Sequence, residues 1–303
     1  MAIKLGSASI SKLYFGSNEI SKAYLGANEV FSSGDTTSFI TTWRTTTSNE
    51  SITIPIIATS TYNYSITTSD GQSYSGISGG KTITFATAGD YDVSISGTFP
   101  RIFFNNGGDR TKLIDIKQWG NIVWTSFEKA FYGCSNLNGS FTDAPNLTNV
   151  TSFERAFGDC SSFNQPIGDW DVSNVTYMYA ALAGAFDFNQ PLNNWDTSSV
   201  TNMLGVFSRT TSFDQDISDW DISNVLDFRV FARFVTFSTT NYDAILIGWE
   251  ATLQAAFPNG SGYTPTISTH FGNSEYTGGG AAATARASLV SNFGWTITDG
   301  GIA

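Results

Sequence analysis

The chain has 303 residues, a formal net charge of −11 and a pI near 4.4, with charged residues at 14% and aromatic residues at 15%. That length suits two or three modules with ample core, while the acidity argues against nucleic acid and anionic membranes, which need basic patches to neutralise phosphates. No apolar run reaches the length of a membrane span, and the single histidine, His270, removes most histidine-based catalysis.

Residues 1–34 carry a ten-residue repeat, ISKLYFGSNE at 10–19 and ISKAYLGANE at 20–29. Short apolar runs between Gly, Asn and Ser predict short strands joined by tight turns, too small to be stable alone and in need of a partner surface. Lys4, Lys12 and Lys22 are spaced as solvated strand residues. The opening MAIKLGSASI lacks the apolar core and cleavage site of a secretory signal, so the expectation is a mature fragment or a chain that leaves the cytoplasm by another route. This segment resembles the N-terminal repeats of phage tail and virion proteins.

Residues 35–100 alternate apolar and polar positions in SITIPII, YNYSITT, KTITFAT and YDVSISG, with SDGQSYSGISGG and AGD between them. Alternation with Ile, Thr, Tyr and Val predicts a small antiparallel sandwich of immunoglobulin type. The segment is similar to polycystic-kidney-disease-type (PKD-like) domains, but keeps only Asp70 and Gly71 of that family's usual turn. The resemblance implies the fold and no ligand.

Residues 101–237 are periodic. FNQPIGDWDVSNVTYM at 163–178 is followed by FNQPLNNWDTSSVTNM at 188–203 and FDQDISDWDISNVLDF at 213–228, so Trp170, Trp195 and Trp220 recur every 25 residues. TSFEKAFYGCSNL at 125–137 and TSFERAFGDCSSF at 151–163 are earlier units at an offset of 26, and residues 101–124 read as an N-terminal cap. A fixed period of this size predicts stacked units, each relying on its neighbours to bury its apolar face. Val150, Phe153, Ala156, Phe157 and Cys160 have helical spacing, and Thr125 with Glu128 and Thr151 with Glu154 have capping-box spacing, which predicts one short amphipathic helix per unit. The Phe-Asn-Gln-Pro-Ile portion is left as a short parallel strand, limited by Pro166 and Pro191. The expected fold is therefore a multi-domain chain, a β-sandwich followed by a leucine-rich-repeat-like α/β solenoid. Residues 238–303 leave the period, and their YDAILIGWEATLQAAF, GAAATARASLVSNF, TPTISTHF and GWTITDGG read as helices and strands of a C-terminal α/β cap.

No catalytic or zinc-ligand cluster, P-loop or dinucleotide fingerprint occurs in a plausible context, so no catalytic, metal or cofactor residue is assigned. Asp171, Asp196 and Asp221 form a column that paired carboxylates of a glycosidase or a calcium site would also use, but recurrence in every unit suits a turn. With Trp170, Trp195 and Trp220 they read as the structural repeat. Asn164, Asn189 and Asp214, each followed by Gln165, Gln190 and Gln215, form a second column: either amides bonded from unit to unit, or a polar ligand-binding face. Cys134 and Cys160 occupy matching places in consecutive units and read as reduced, buried thiols.

From about Phe39 to Gly301 the chain resembles BspA-type leucine-rich-repeat surface proteins. The resemblance implies attachment to cells or matrix and no enzyme. Combined with the virion-like segment, it leads to a non-enzymatic bacteriophage structural protein, a tail fibre, appendage or decoration. Such a protein would be held to other virion proteins through residues 1–34, homo-oligomeric, and displayed on the particle toward a bacterial surface glycan or protein. The alternative is a bacterial cell-surface adhesin; a polysaccharide-degrading enzyme is the third reading.

Overall fold

The computed structural model describes residues 35–303 throughout. Within residues 1–34 it describes the strands β1 (Leu13–Phe15), β2 (Asn18–Ile20), β3 (Lys22–Leu25) and β4 (Asn28–Ser32), paired antiparallel as β1–β2 and β3–β4. The turns of the ten-residue repeat, Lys4, Lys12 and the surface on which an anchoring role would rest lie outside the described residues.

The next seven strands are β5 (Phe39–Thr45), β6 (Glu50–Ile54), β7 (Asn63–Thr68), β8 (Ser73–Ile77), β9 (Lys81–Phe85), β10 (Gly89–Thr98) and β11 (Leu113–Gln118). They form an antiparallel sheet in the order β11-β5-β10-β7-β8 and a separate antiparallel pair β6–β9. The period-two pattern decides which side chains face in: Tyr64 and Ile66 of β7, Ile83 and Phe85 of β9, and Val93 and Ile95 of β10 are buried in one core. The edge strand β11 comes from the segment after the sandwich. Its bulged pairing with β5 joins the sandwich to the repeats.

The leucine-rich-repeat-like α/β solenoid expected above does not form. Between Gln118 and Thr239 there is no α-helix and no extended strand, and both α-helices of the described residues lie beyond the repeats. Thr125 and Thr151 begin no helix; the hydroxyls of Ser126 and Ser152 accept the N–H groups of Glu128 (3.1 Å) and Glu154 (3.3 Å) in tight turns. The Phe-Asn-Gln-Pro-Ile portions are irregular rather than extended.

Backbone geometry gives the reason. Lys129, Arg155, Ala180, Gly205 and Val230 have φ of 53°, 48°, 51°, 62° and 50°. Four residues on, Gly133, Asp159, Gly184, Arg209 and Phe234 are again left-handed, at 83°, 53°, 73°, 65° and 69°. An α-helix needs φ of about −63° at every residue, so two left-handed residues per unit convert each expected helix into consecutive turns. The turns close through bonds from residue i+3 to residue i, such as Ala156 N–H to Phe153 O (3.0 Å) and Ala181 N–H to Met178 O (3.1 Å).

The remaining N–H groups point along the stack. Phe153, Arg155, Phe157 and Asp159 donate to the carbonyls of Tyr177, Tyr179, Ala181 and Ala183, and Met178, Ala180, Leu182 and Gly184 donate to those of Asn202, Leu204, Val206 and Ser208. Isolated parallel bridges link Ser152, Tyr177, Asn202 and Asp227 in series. Burial completes the adhesion: Phe163, Phe188 and Phe213 stack at 6.0 Å centroid spacing, and so do Trp195 and Trp220. Each such ring contributes about 1.5–3 kcal/mol by leaving water.

After the last unit come α1 (Thr239–Ala256), β12 (Ser268–His270), β13 (Glu275–Tyr276), α2 (Ala281–Ser291), β14 (Thr296–Thr298) and β15 (Gly301–Ile302). The parallel pairs β12–β14 and β13–β15 lie with α1 and α2 over the apolar end of the stack. Trp249 of α1 contacts Phe228 (5.3 Å) and Phe231 (5.5 Å), and the carbonyl of His270 accepts the N–H of Ala232 at 2.9 Å.

Candidate functional site

The sequence-derived residues divide by what their atoms already hold. Trp195 and Trp220 are buried, and their indole N–H groups donate to Ile167 O (2.8 Å) and Leu192 O (2.9 Å) of the preceding unit, a pattern that Trp249 continues to Ile217 O (3.0 Å). Trp170 is buried in the same column against Trp119 at 5.2 Å. Asp171, Asp196 and Asp221 accept the N–H groups of Ser173, Ser198 and Ser223 at 3.1, 3.0 and 2.9 Å, which fixes the turn after each tryptophan. The hydroxyl of Ser198, then its N–H, holds the Asp196 carboxyl below its ordinary pKa. Among the described residues no group of three or more histidine, cysteine, aspartate or glutamate side chains is placed to hold a metal ion.

The amide column is bonded from unit to unit. Asn164 Oδ1 accepts from the Asn189 N–H (2.9 Å) and from Gln190 Nε2 (3.0 Å); Asn189 Oδ1 accepts likewise from Asp214 (2.9 Å) and Gln215 (2.8 Å). Asp214 Oδ1 ends the series at the start of α1, accepting from Ser238 N–H and Asn241 Nδ2, both at 2.8 Å. Gln165 donates to Asn138 Oδ1 at 2.7 Å. These atoms point along the stack and are occupied there. Cys134 and Cys160 are unbridged and buried; burial raises both thiols above their ordinary pKa, and Cys160 donates to Phe131 O at 3.0 Å.

A polar cleft of about 230 Å³ opens instead on the turn side of the stack, lined by residues of all five units. Its floor is small: Gly158, Ala180, Ala183, Gly184, Gly205 and Ser208 stand at outward positions where the flanking units carry Tyr132, Lys129, Arg233 or Phe234. Gly184 takes its φ of 73° without strain, where Asp159 and Arg209 carry side chains at the same left-handed position, and a Cβ there would push the Asp159 carboxylate aside.

One wall is a ring–cation–ring stack. The Arg155 guanidinium lies 4.9 Å from the Tyr132 ring and 5.0 Å from the Tyr179 ring, and donates to both phenolic oxygens, at 2.9 Å and 2.8 Å. Burial opposes its charge, but the hydrogen bond to Tyr179 and the neighbouring Tyr132, Tyr179 and Asp159 outweigh that and raise its pKa. Both phenols act as acceptors toward Arg155, so their own protons are free for a ligand. Arg209, over the Phe186 ring at 5.4 Å, and Asp159 complete the charged lining.

None of Tyr132, Arg155, Asp159, Tyr179 and Arg209 stood out as a site in the sequence. The available signal is a break at one position of the repeat, where Gly158, Ala183 and Ser208 stand between Tyr132 and Arg233.

A family described as "Mycoplasma protein of unknown function, DUF285" matches residues 125–244, a span that includes every residue of the cleft. No curated protein and no solved structure matches the chain. Among the described residues no helix is long and apolar enough to cross a membrane.

Proposed function

We propose that this chain is a non-enzymatic attachment protein displayed on an outer surface, and that the cleft on the turn side of the repeats is where it holds its target. The observation that carries this reading is the division of labour within the repeats. The recurring Trp, Asp and Asn side chains are consumed in building the stack, whereas Tyr132, Arg155, Asp159, Tyr179 and Arg209 converge from different units on an open space that packing does not require. The family matched over residues 125–244 is associated with surface proteins, which supports the same reading.

The displaying surface we propose is a bacteriophage particle, with residues 1–34 joining the chain to other virion proteins and to copies of itself, and with a bacterial surface glycan or protein as target. This rests on the resemblance of residues 1–34 to virion proteins. A bacterial cell surface is the second reading, favoured by the family match. Mass spectrometry of purified particles and of the cell envelope separates them: the intact chain is expected in particles, and its recovery only from the envelope would overturn the virion assignment. The non-enzymatic part is tested by reducing-end release from host polysaccharide. Hydrolysis that disappears on substituting Asp171 or Asp196 would replace attachment with catalysis.

A further inference from the structure

We infer that the cleft binds a single carboxylate-bearing sugar unit, a uronic acid residue of a surface polysaccharide, with Arg155 and Arg209 facing the carboxylate, the Tyr132 and Tyr179 phenols donating to the ring oxygen and a hydroxyl oxygen, and Asp159 accepting from a sugar hydroxyl. The inference rests on the attachment reading above and names its ligand.

Charge is the first argument. The chain carries a net −11, yet the cleft presents two arginines against one aspartate, and among the described residues neither arginine forms an ion pair. A locally cationic site on an acidic surface selects an anion that the rest of the molecule repels. Geometry is the second. Arg155 is clamped by two rings and two phenolic oxygens, so its planar donor edge is fixed before any ligand arrives, which suits a planar carboxylate better than a mobile lysine would.

Size and lining decide between a sugar and a peptide. At about 230 Å³ the space falls below the roughly 300–1,000 Å³ of drug-sized sites, so it takes one ring rather than an extended chain. A bound peptide also needs backbone partners, and the N–H groups of Ala180, Gly184, Gly205 and Arg209 are all spent on carbonyls of the next unit. What the cleft offers is side-chain donors, one carboxylate acceptor and a floor of small residues, a set matched to a hydroxylated ring.

Position 183 supplies a blocking variant compatible with the fold. Ala183 is aligned with Tyr132 and Arg233, so the backbone of this column already carries long outward side chains, and Ala183→Tyr fills the cleft without entering the core. The test is calorimetric titration of the full chain with methyl β-glucuronide, methyl β-glucoside and N-acetylglutamate amide. The glucuronide is expected to bind, the glucoside at least about tenfold more weakly, Arg155→Gln to lose about tenfold or more, and Ala183→Tyr to abolish binding with an unchanged circular dichroism spectrum. Equal affinity for glucoside and glucuronide, no binding of the glucuronide, or an equal response to N-acetylglutamate amide each overturns the ligand assignment. Adhesion of the Ala183→Tyr variant to host cells is scored separately. Retained adhesion sinks the cleft as the attachment site; lost adhesion alongside a wild type blind to glucuronide sinks only the sugar.

Discussion

Single side chains in the repeats do unequal work, although several recur equally often. The Asn189 side chain accepts two hydrogen bonds from the following unit while its own N–H donates to the preceding one, so Asn189→Ala strands the Asp214 N–H and leaves the Gln215 amide only the Asn189 carbonyl, at 3.2 Å. A half-buried donor left without a partner costs about 1–3 kcal/mol. Asp171 makes an Asx turn at an exposed position, where solvent replaces the lost acceptor, and Asp171→Ala should cost under about 1 kcal/mol. Urea denaturation of the two variants checks the ranking; equal losses would mean that the amide column does not bind unit to unit. Both columns were legible in the sequence because hydrogen bonds that repeat in space must repeat in the chain. Tyr132, Arg155 and Tyr179 were not, because each comes from a different unit and occupies a different place in it, so no period marks them.

At the scale of elements, the apolar spacing of i, i+3 and i+4 is shared by an amphipathic helix and by consecutive turns that bring every third or fourth residue inward. The residues that separate the two possibilities are the left-handed ones. Gly133, Gly184 and Gly205 are ordinary turn residues, but Lys129, Arg155, Ala180 and Val230 carry no signature of a positive φ, so the helix was the natural reading and the stack overrides it. The override has an energetic consequence. Ala180→Gly removes the left-handed penalty and should stabilise by about 1 kcal/mol, whereas Ala183→Gly, three residues on with no such penalty, should destabilise by about 0.5–1 kcal/mol. Opposite shifts in melting temperature from one substitution type check the turn geometry; parallel shifts would restore the helix.

An ion-pair cluster ties β6 to the loop before β11. Glu50 of β6 pairs with Lys112 at 2.9 Å, and Lys112 also reaches Asp109 (3.0 Å) and Ser51 O (2.7 Å). The hydrogen bond from Lys112, with those from the Thr46 and Thr47 N–H groups, lowers the Glu50 carboxyl to about 2. A carboxyl whose pKa falls on folding contributes stability that is present above its ordinary value of 4.5 and is lost as the pH drops from there toward about 2. Glu50→Gln should therefore melt below the wild type at pH 7, and the gap should close between pH 4.5 and 2. A gap independent of pH would assign the effect to packing rather than ionisation.

For the whole molecule, the question is whether the sandwich and the repeats fold as separate bodies, as the division at residue 100 in the sequence suggests. Aromatic contacts cross that division: Phe39 of β5 lies 5.5 Å from Trp119 and 5.0 Å from Trp124, Phe99 lies 6.1 Å from Trp124, and Trp119 reaches Trp170 of the repeats at 5.2 Å. Strand β11, adjoining Trp119 in the chain, is itself part of the sandwich sheet. At the other end Trp249 of α1 takes the next place after Trp220 in the tryptophan column, so the cap completes the stack with the same bond that builds it. A repeat array coupled only between neighbours can lose one end while the other persists. Here apolar packing is continuous from Phe39 to Trp295, which predicts a single cooperative transition. Trp43→Ala in the sandwich and Trp249→Ala in the cap, each deleting a fully buried ring at a cost of about 3–5 kcal/mol, should lower the same melting temperature. Calorimetry resolving two peaks, with Trp43→Ala moving one and Trp249→Ala the other, would show that the shared aromatic packing leaves the two ends energetically independent.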